Sequence, residues 1–154
     1  MFWFDKNNKD VEFCDIRTMD NELIWESRDG KERYYMTVSP DTVCDVRNLP
    51  FADNTFWHIV FDPPHLTRAG EKSWLQKKYG RLSDDWEAFI RDSFVELMRV
   101  LKPNGTLIFK WSEVDVKVSE MLKVIPFKPL YGHRSGKHMK THWMAFIKDN
   151  KGEE

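Results

Sequence analysis

Three acids and one double proline hold the residue types best suited to chemistry: Asp15, Asp45 and Asp62-Pro63-Pro64-His65. Each acid stands at or near the end of a short apolar run, at 11–16, 42–46 and 56–61. Two successive prolines fix φ near −65° and stiffen the backbone. The residue before a proline is driven to an extended shape. Such a corner can hold a carboxylate and nearby carbonyls as rigid acceptors. An amine attacking an electrophilic methyl group needs acceptors of this kind. They aim its lone pair, and their hydrogen bonds strengthen as positive charge develops on nitrogen. A planar side chain next in line, here His65, can stack on the ring that bears the amine. The plainer alternatives are a rigid loop after a buried strand and two solvated acids at strand ends.

Charge is concentrated in one other place. His133-Arg134-Ser135-Gly136-Lys137-His138-Met139-Lys140 is the one dense positive segment. With Gly132 and Gly136 it reads as a mobile loop able to hold phosphates, or as a solvated loop. Arg68, Lys72, Lys77 and Lys78 would extend this patch if the fold gathers them. Over the whole chain the charge is −1, with pI about 6.5, so no overall pull toward polyanions exists. The two cysteines, Cys14 and Cys44, are too few for a disulfide scaffold or a zinc site. Their apolar surroundings predict buried free thiols, and no metal site is expected. No apolar run approaches the roughly 18 residues of a membrane span, and the first residues lack the pattern of a signal peptide. A reduced, cytoplasmic setting follows, with no membrane partner.

The elements that must position these residues are legible in the patterning. At 154 residues the chain suits one domain with one core. Phe56-Trp57-His58-Ile59-Val60-Phe61 is nearly all apolar, as a buried parallel strand is, and the prolines end it. Ser83 is the expected N-cap of a helix whose apolar stripe is Trp86, Phe89, Ile90, Phe94, Leu97, Met98 and Leu101. Lys102-Pro103-Asn104-Gly105 ends that helix and turns the chain into a core strand, 106–111. Further helices are predicted at 71–79 and 114–124, and two closing strands at 127–131 and 141–147, antiparallel at one edge. Asp29-Gly30 marks a hairpin turn between strands 22–25 and 33–36, an excursion from the main sheet. Alternation of strands and helices implies an α/β fold. In such sheets ligands sit beyond the carboxyl ends of the strands, where the three acids lie.

The residues 45–65, read with Arg99-Val100-Leu101-Lys102-Pro103-Asn104-Gly105-Thr106-Leu107, resemble the third to fifth strands of the class I S-adenosylmethionine-dependent methyltransferases. Asp62-Pro63-Pro64-His65 is similar to the Asp-Pro-Pro-aromatic motif of the members that methylate amino groups. The order of parts resembles a small phage and prophage group, whose closing segment is similar to Gly132 to Lys137 followed by Thr141-His142-Trp143. The resemblance implies a Rossmann-like methyltransferase sheet, mostly parallel with an antiparallel edge strand and helices on both faces. It implies one domain over 1–148, with the hairpin at 18–40 and a disordered tail at 149–154. The family's first strand and glycine-rich loop have no counterpart here, so that strand would be missing, and His65 replaces the usual Tyr, Phe or Trp. A homodimer or another partner would then cover the exposed sheet edge.

The same resemblance implies S-adenosylmethionine as cofactor. Asp15 would take the ribose, and Asp45 the adenine amino group with Val46 beside the ring. Phe4 and Asp5 would line the methionine end, although a plain helix start fits them equally. Asp62, Pro63, Pro64 and His65 would form the catalytic corner. Lys110, Trp111, His133, Arg134 and Lys137 would meet the substrate; a strand-end lysine beside a core tryptophan is the bland reading of Lys110 and Trp111. The implied activity is methyl transfer to an amino nitrogen of a nucleobase, with DNA placed ahead of RNA as partner. The second reading is a catalytically inactive relative that binds nucleic acid or a protein. A phosphotransferase is disfavoured, because no Gly-x-x-x-x-Gly-Lys-Ser/Thr loop exists.

Overall fold

The computed structural model describes residues 3–68, 70 and 73–149. The chain divides into two compact units, Met1–Val46 and Arg47–Glu154.

In the first unit, β1 (Cys14–Asp15) pairs in parallel with a strand that follows a hairpin. The hairpin comprises β2 (Met19–Glu26) and β3 (Arg33–Val38), which pair antiparallel. Its turn contains Asp29-Gly30 as expected, with Gly30 at φ 70°. Serine and aspartate close the turn: Ser27 Oγ donates to Asp29 Oδ1, and Glu32 N donates to Ser27 Oγ. The partner of β1 is β4 (Thr42–Val43), with Cys14 opposite Thr42 and Asp15 opposite Val43. Both strands are shorter than the apolar runs at 11–16 and 42–46 suggested. The cysteines differ from expectation too: Cys14 is exposed and Cys44 is half-buried. Shielding of the Cys14 thiol and the adjoining Cys44 thiol push its pKa up to about 12.

The second unit holds the core. Its strands are β5 (Phe56–Phe61), β6 (Leu101–Ser112), β7 (Tyr131–Ser135) and β8 (Thr141–Ile147), in the order β5-β6-β8-β7. β5 runs parallel to β6, while β8 is antiparallel to both of its neighbours. One parallel and two antiparallel pairings therefore replace the mostly parallel sheet that the resemblance implies. The helices are α1 (Trp74–Tyr79), α2 (Trp86–Val100) and α3 (Val118–Val124). α2 buries Ile90, Phe94, Leu97 and Met98 of the predicted stripe, and Val100 besides. Phe94 meets Phe61, Phe109 and Phe146 with ring centroids 5.0–6.1 Å apart, which seats the helix on one face of the sheet. α3 packs beside α2, and α1 has no buried residue. Coverage of both sheet faces by helices is thus not what the described residues of this unit show.

Three boundaries differ for physical reasons. Asp85, not Ser83, caps α2, because its carboxylate accepts from Ala88 N at 3.2 Å. Leu101 opens β6 instead of closing the helix, and residues 102–105 form an irregularity within that strand: Phe56 pairs with Leu101, then His58 with Thr106. Lys148 fastens it, donating through Nζ to the Leu101 carbonyl and through its backbone N to Gly105 O. The predicted strand 127–131 begins only at Tyr131, so Gly132 to Ser135, read as mobile loop, is edge strand. Polar residues on an edge strand obscure the alternation that identifies an inner one. Of the helix expected at 71–79, Glu71 and Lys72 lie outside the described residues, as does all of the expected tail except Asp149.

Candidate active site

The corner stands where β5 leaves the sheet. Phe61, still paired with Phe109, is buried, and the chain leaves the sheet at Asp62. Pro63 is buried, while Pro64 and His65 are half-exposed. Lys110, the next residue along β6, reaches across so that its Nζ donates to Asp62 Oδ2 at 2.6 Å. The two side chains keep 26% and 36% of their surface in water. This pair is therefore a positioned contact at the rim, where solvent weakens it as a source of stability. Among the described residues no hydrogen bond reaches Asp62 Oδ1, so that oxygen is an available acceptor.

Strand register extends the row. Lys110 pairs with Trp143 on β8, and Trp143 with His133 on β7. Paired residues share a face, so Asp62, Lys110, Trp143 and His133 line one side of the sheet. Lys110 Nζ lies 5.8 Å from the Trp143 ring centre. Ser135 Oγ accepts from Trp143 Nε1 at 3.1 Å, which fixes the indole. The same alternation sends Trp111 to the other face. It is 1% exposed and donates its Nε1–H to Val116 O. Trp111 is therefore core, not a substrate contact. Arg134 also points to that other face, near Glu113.

Three loops gather at the end of the sheet that carries Asp62. They follow β5, follow β6, and join β7 to β8, as the pairing of Ser112 with Thr141 and of Ser135 with Thr141 requires. Lys137 and Lys140 belong to the last of these, and Glu113 N donates to Lys140 O. The loop after β5 is held by Asp115, whose Oδ2 accepts from Thr67 N and Arg68 N. Burial pushes the Asp115 pKa up, but these N–H groups and the Arg68 charge outweigh it and leave the carboxyl low. His65 shifts down, mainly because burial disfavours its charged form; Asp62 opposes that shift. The ring is thus kept neutral and faces Tyr79, 6.0 Å away. Sequence patterning did not single out Trp143, Asp115 or Tyr79.

The candidate cofactor residues lie in the first unit. Asp15 ends β1 and Asp45 comes two residues after β4, its parallel neighbour, and Cys44 N donates to Asp15 O. Asp15 is already engaged: Oδ1 accepts from Arg17 N and Nε, and Oδ2 accepts from Arg17 Nη2 at 2.9 Å. Burial would raise its pKa, but the Arg17 hydrogen bonds and charge prevail and lower it. Oδ2 keeps a lone pair for one hydroxyl. Val46 is half-buried. Phe4 is fully exposed, and Asp5 Oδ1 accepts from Asn7 N.

No protein-family model and no curated protein matches the chain. Solved structures resemble it distantly. A protein of Pyrococcus horikoshii OT3 is 13% identical over 69% of this chain and 57% of its own, with a TM-score of 0.47. A candidate DNA modification methylase of Thermus thermophilus, crystallised with S-adenosyl-L-methionine, is 15% identical over 71% of this chain and 55% of its own, with a TM-score of 0.48. The [4+2]-cyclase SpnF gives 11% identity and a TM-score of 0.41, covering 70% of this chain and 55% of its own. The chain spans a little over half the length of these structures.

Proposed function

We propose that this chain transfers a methyl group from S-adenosylmethionine to an amino nitrogen of a nucleobase in DNA, with the Asp62-Pro63-Pro64-His65 corner as the acceptor site. The observation that carries the reading is the corner's geometry. A stiff acceptor, Asp62, follows the edge strand β5, whose last residue Phe61 is buried, with one oxygen pinned by Lys110 and the other available. Asp15 and Asp45 have the chemistry to take ribose hydroxyls and an adenine amine, so the first unit fits that part of the cofactor. When bound, the cofactor supplies a methyl group on a positively charged sulfur; the new N–C bond forms as the S–C pair stays on sulfur. Asp62 Oδ1 accepts an N–H of the amine and so turns the lone pair outward. That hydrogen bond strengthens as charge grows on nitrogen. The carboxylate then receives the proton that nitrogen must lose. Lys110 prevents Asp62 from swinging, and the neutral His65 ring offers a face for the base. A base in duplex DNA must be flipped to arrive there.

The test is methyl incorporation from tritiated cofactor into DNA, RNA and protein pools. Asp62→Ala is expected to lose about 100-fold or more in kcat on DNA. Lys110→Met is expected to lose about tenfold in kcat while stability changes by less than about 1 kcal/mol. Incorporation unaltered in Asp62→Ala ends this reading. The Arg17 grip on Asp15 favours a second reading, a non-catalytic relative that binds nucleic acid or protein. Calorimetry with S-adenosylmethionine decides between them. Saturable binding lost in Asp15→Ala supports the enzyme, and no heat at millimolar cofactor supports the relative.

A further inference from the structure

α1 has a composition unlike a packing helix. Trp74, Leu75 and Tyr79 are 40%, 36% and 44% exposed, and none of its residues is buried. It bears Lys77 and Lys78 and no carboxylate. Nothing in its own apolar burial explains why it holds its place. Its position is set by the corner instead. Gly80, at φ 76°, ends the helix against Pro64; a Cβ there would come within 3.0 Å of Pro64 Cγ. Leu82 N donates to Leu66 O, and Arg81 Nε donates to Thr67 O. The segments 64–67 and 80–82 therefore run side by side, and Tyr79 stands next to His65.

We propose that α1 is a landing surface for the DNA strand that flanks the acceptor base, with Trp74 and Tyr79 as stacking platforms and Lys77 and Lys78 as phosphate contacts. This rests on the nucleobase reading above and adds where the strand lies. Two features choose a nucleic acid over a protein. The surface alternates rings with cations instead of presenting an apolar stripe, and it is continuous with the proposed acceptor corner. Lys78 Nζ lies 5.7 Å from the Trp74 ring centre and 5.3 Å from that of Tyr79. The exposed rings offer stacking faces to neighbouring bases, and the lysines beside them bring positive charge to the phosphates between those bases. Opened or single-stranded DNA presents those base faces, and paired DNA hides them.

The test uses the whole chain and a fluorescein-labelled single-stranded oligonucleotide, followed by anisotropy across a salt series. Trp74→Ala and Tyr79→Ala are each expected to weaken binding about tenfold, the equivalent of one lost stack. Lys77→Gln with Lys78→Gln is expected to lower the salt slope by about 1.4. All four α1 positions face water or lie half-buried, so these variants keep the fold. Tight binding that survives every α1 change overturns this surface and leaves the nucleobase reading standing. DNA binding that depends on α1, without methyl transfer to DNA, supports the surface and overturns the nucleobase reading. Binding by the unaltered chain only to a protein, with none to the oligonucleotide, overturns the surface.

Discussion

Asp62 and His65 share one corner but are held on different terms. Placement marks Asp62, with one oxygen tied to Lys110. Environment marks His65, because burial favours the neutral form of the ring. The pH consequence has a definite sign. A histidine pKa below the ordinary 6.5 contributes stability that is complete above that value. This contribution disappears as pH falls through the folded-state pKa. His65→Phe should therefore flatten the fall of Tm between about pH 7 and 5, and should preserve methyl transfer at neutral pH. Tm scans over that range check it; an unchanged slope shows that the acid sensitivity lies elsewhere. At this scale the sequence was readable where chain geometry dictates the outcome. Proline chemistry identified the corner. It could not reveal that Trp111 turns inward while Lys110 turns to the rim, since that depends on the parity of a strand whose start the local pattern does not mark.

Elements were legible in proportion to how much each depends on itself. The bounds of β5 and most of the apolar stripe of α2 followed from local pattern, whereas the full burial expected of β5 is absent, because it is an edge strand with Trp57 and His58 exposed. β7 did not, because a short polar edge strand is defined by its neighbour β8. The start of α3 shows a similar dependence. Its N-cap Lys117 offers no side-chain acceptor, and Glu113, from the end of β6, accepts the Val118 N–H instead. The joint between α2 and β6 is the most exacting. Arg99 near the helix end donates to Glu96, to Asp53 and to the carbonyls of Leu49 and Phe51, and so fastens the approach to β5. Immediately after it, a Cβ on Gly105 would lie 2.7 Å from Lys102 O and 2.9 Å from Leu101 Cδ1. Gly105→Ala should cost about 1–3 kcal/mol. A urea titration would read this as a lower midpoint, and an unchanged midpoint means the irregularity in β6 can widen freely.

The molecule as a whole distributes its cohesion unevenly. Every large side chain that is fully buried among the described residues belongs to 47–154: Trp111, Phe94, Phe109, Phe146 and their neighbours. Among the described residues of the first unit, Ile24 is the one buried hydrophobic residue. No helix among the described residues is long and apolar enough to cross a membrane. Hydrogen exchange on the whole chain should follow this division, with amides of Leu107, Phe109 and Phe146 slowest and those of β2 and β3 faster by orders of magnitude. Equal protection in both would show that the hairpin draws on stability invisible in its own burial. The two-residue alternation of β6 has a longer reach than packing. Odd positions 107, 109 and 111 anchor the core, whereas Lys110 stands at the rim beside Asp62. Selection can thus rewrite that rim while the anchoring row stays constant. A lineage built on this sheet is free to change its surface chemistry without first having to survive a weakened fold.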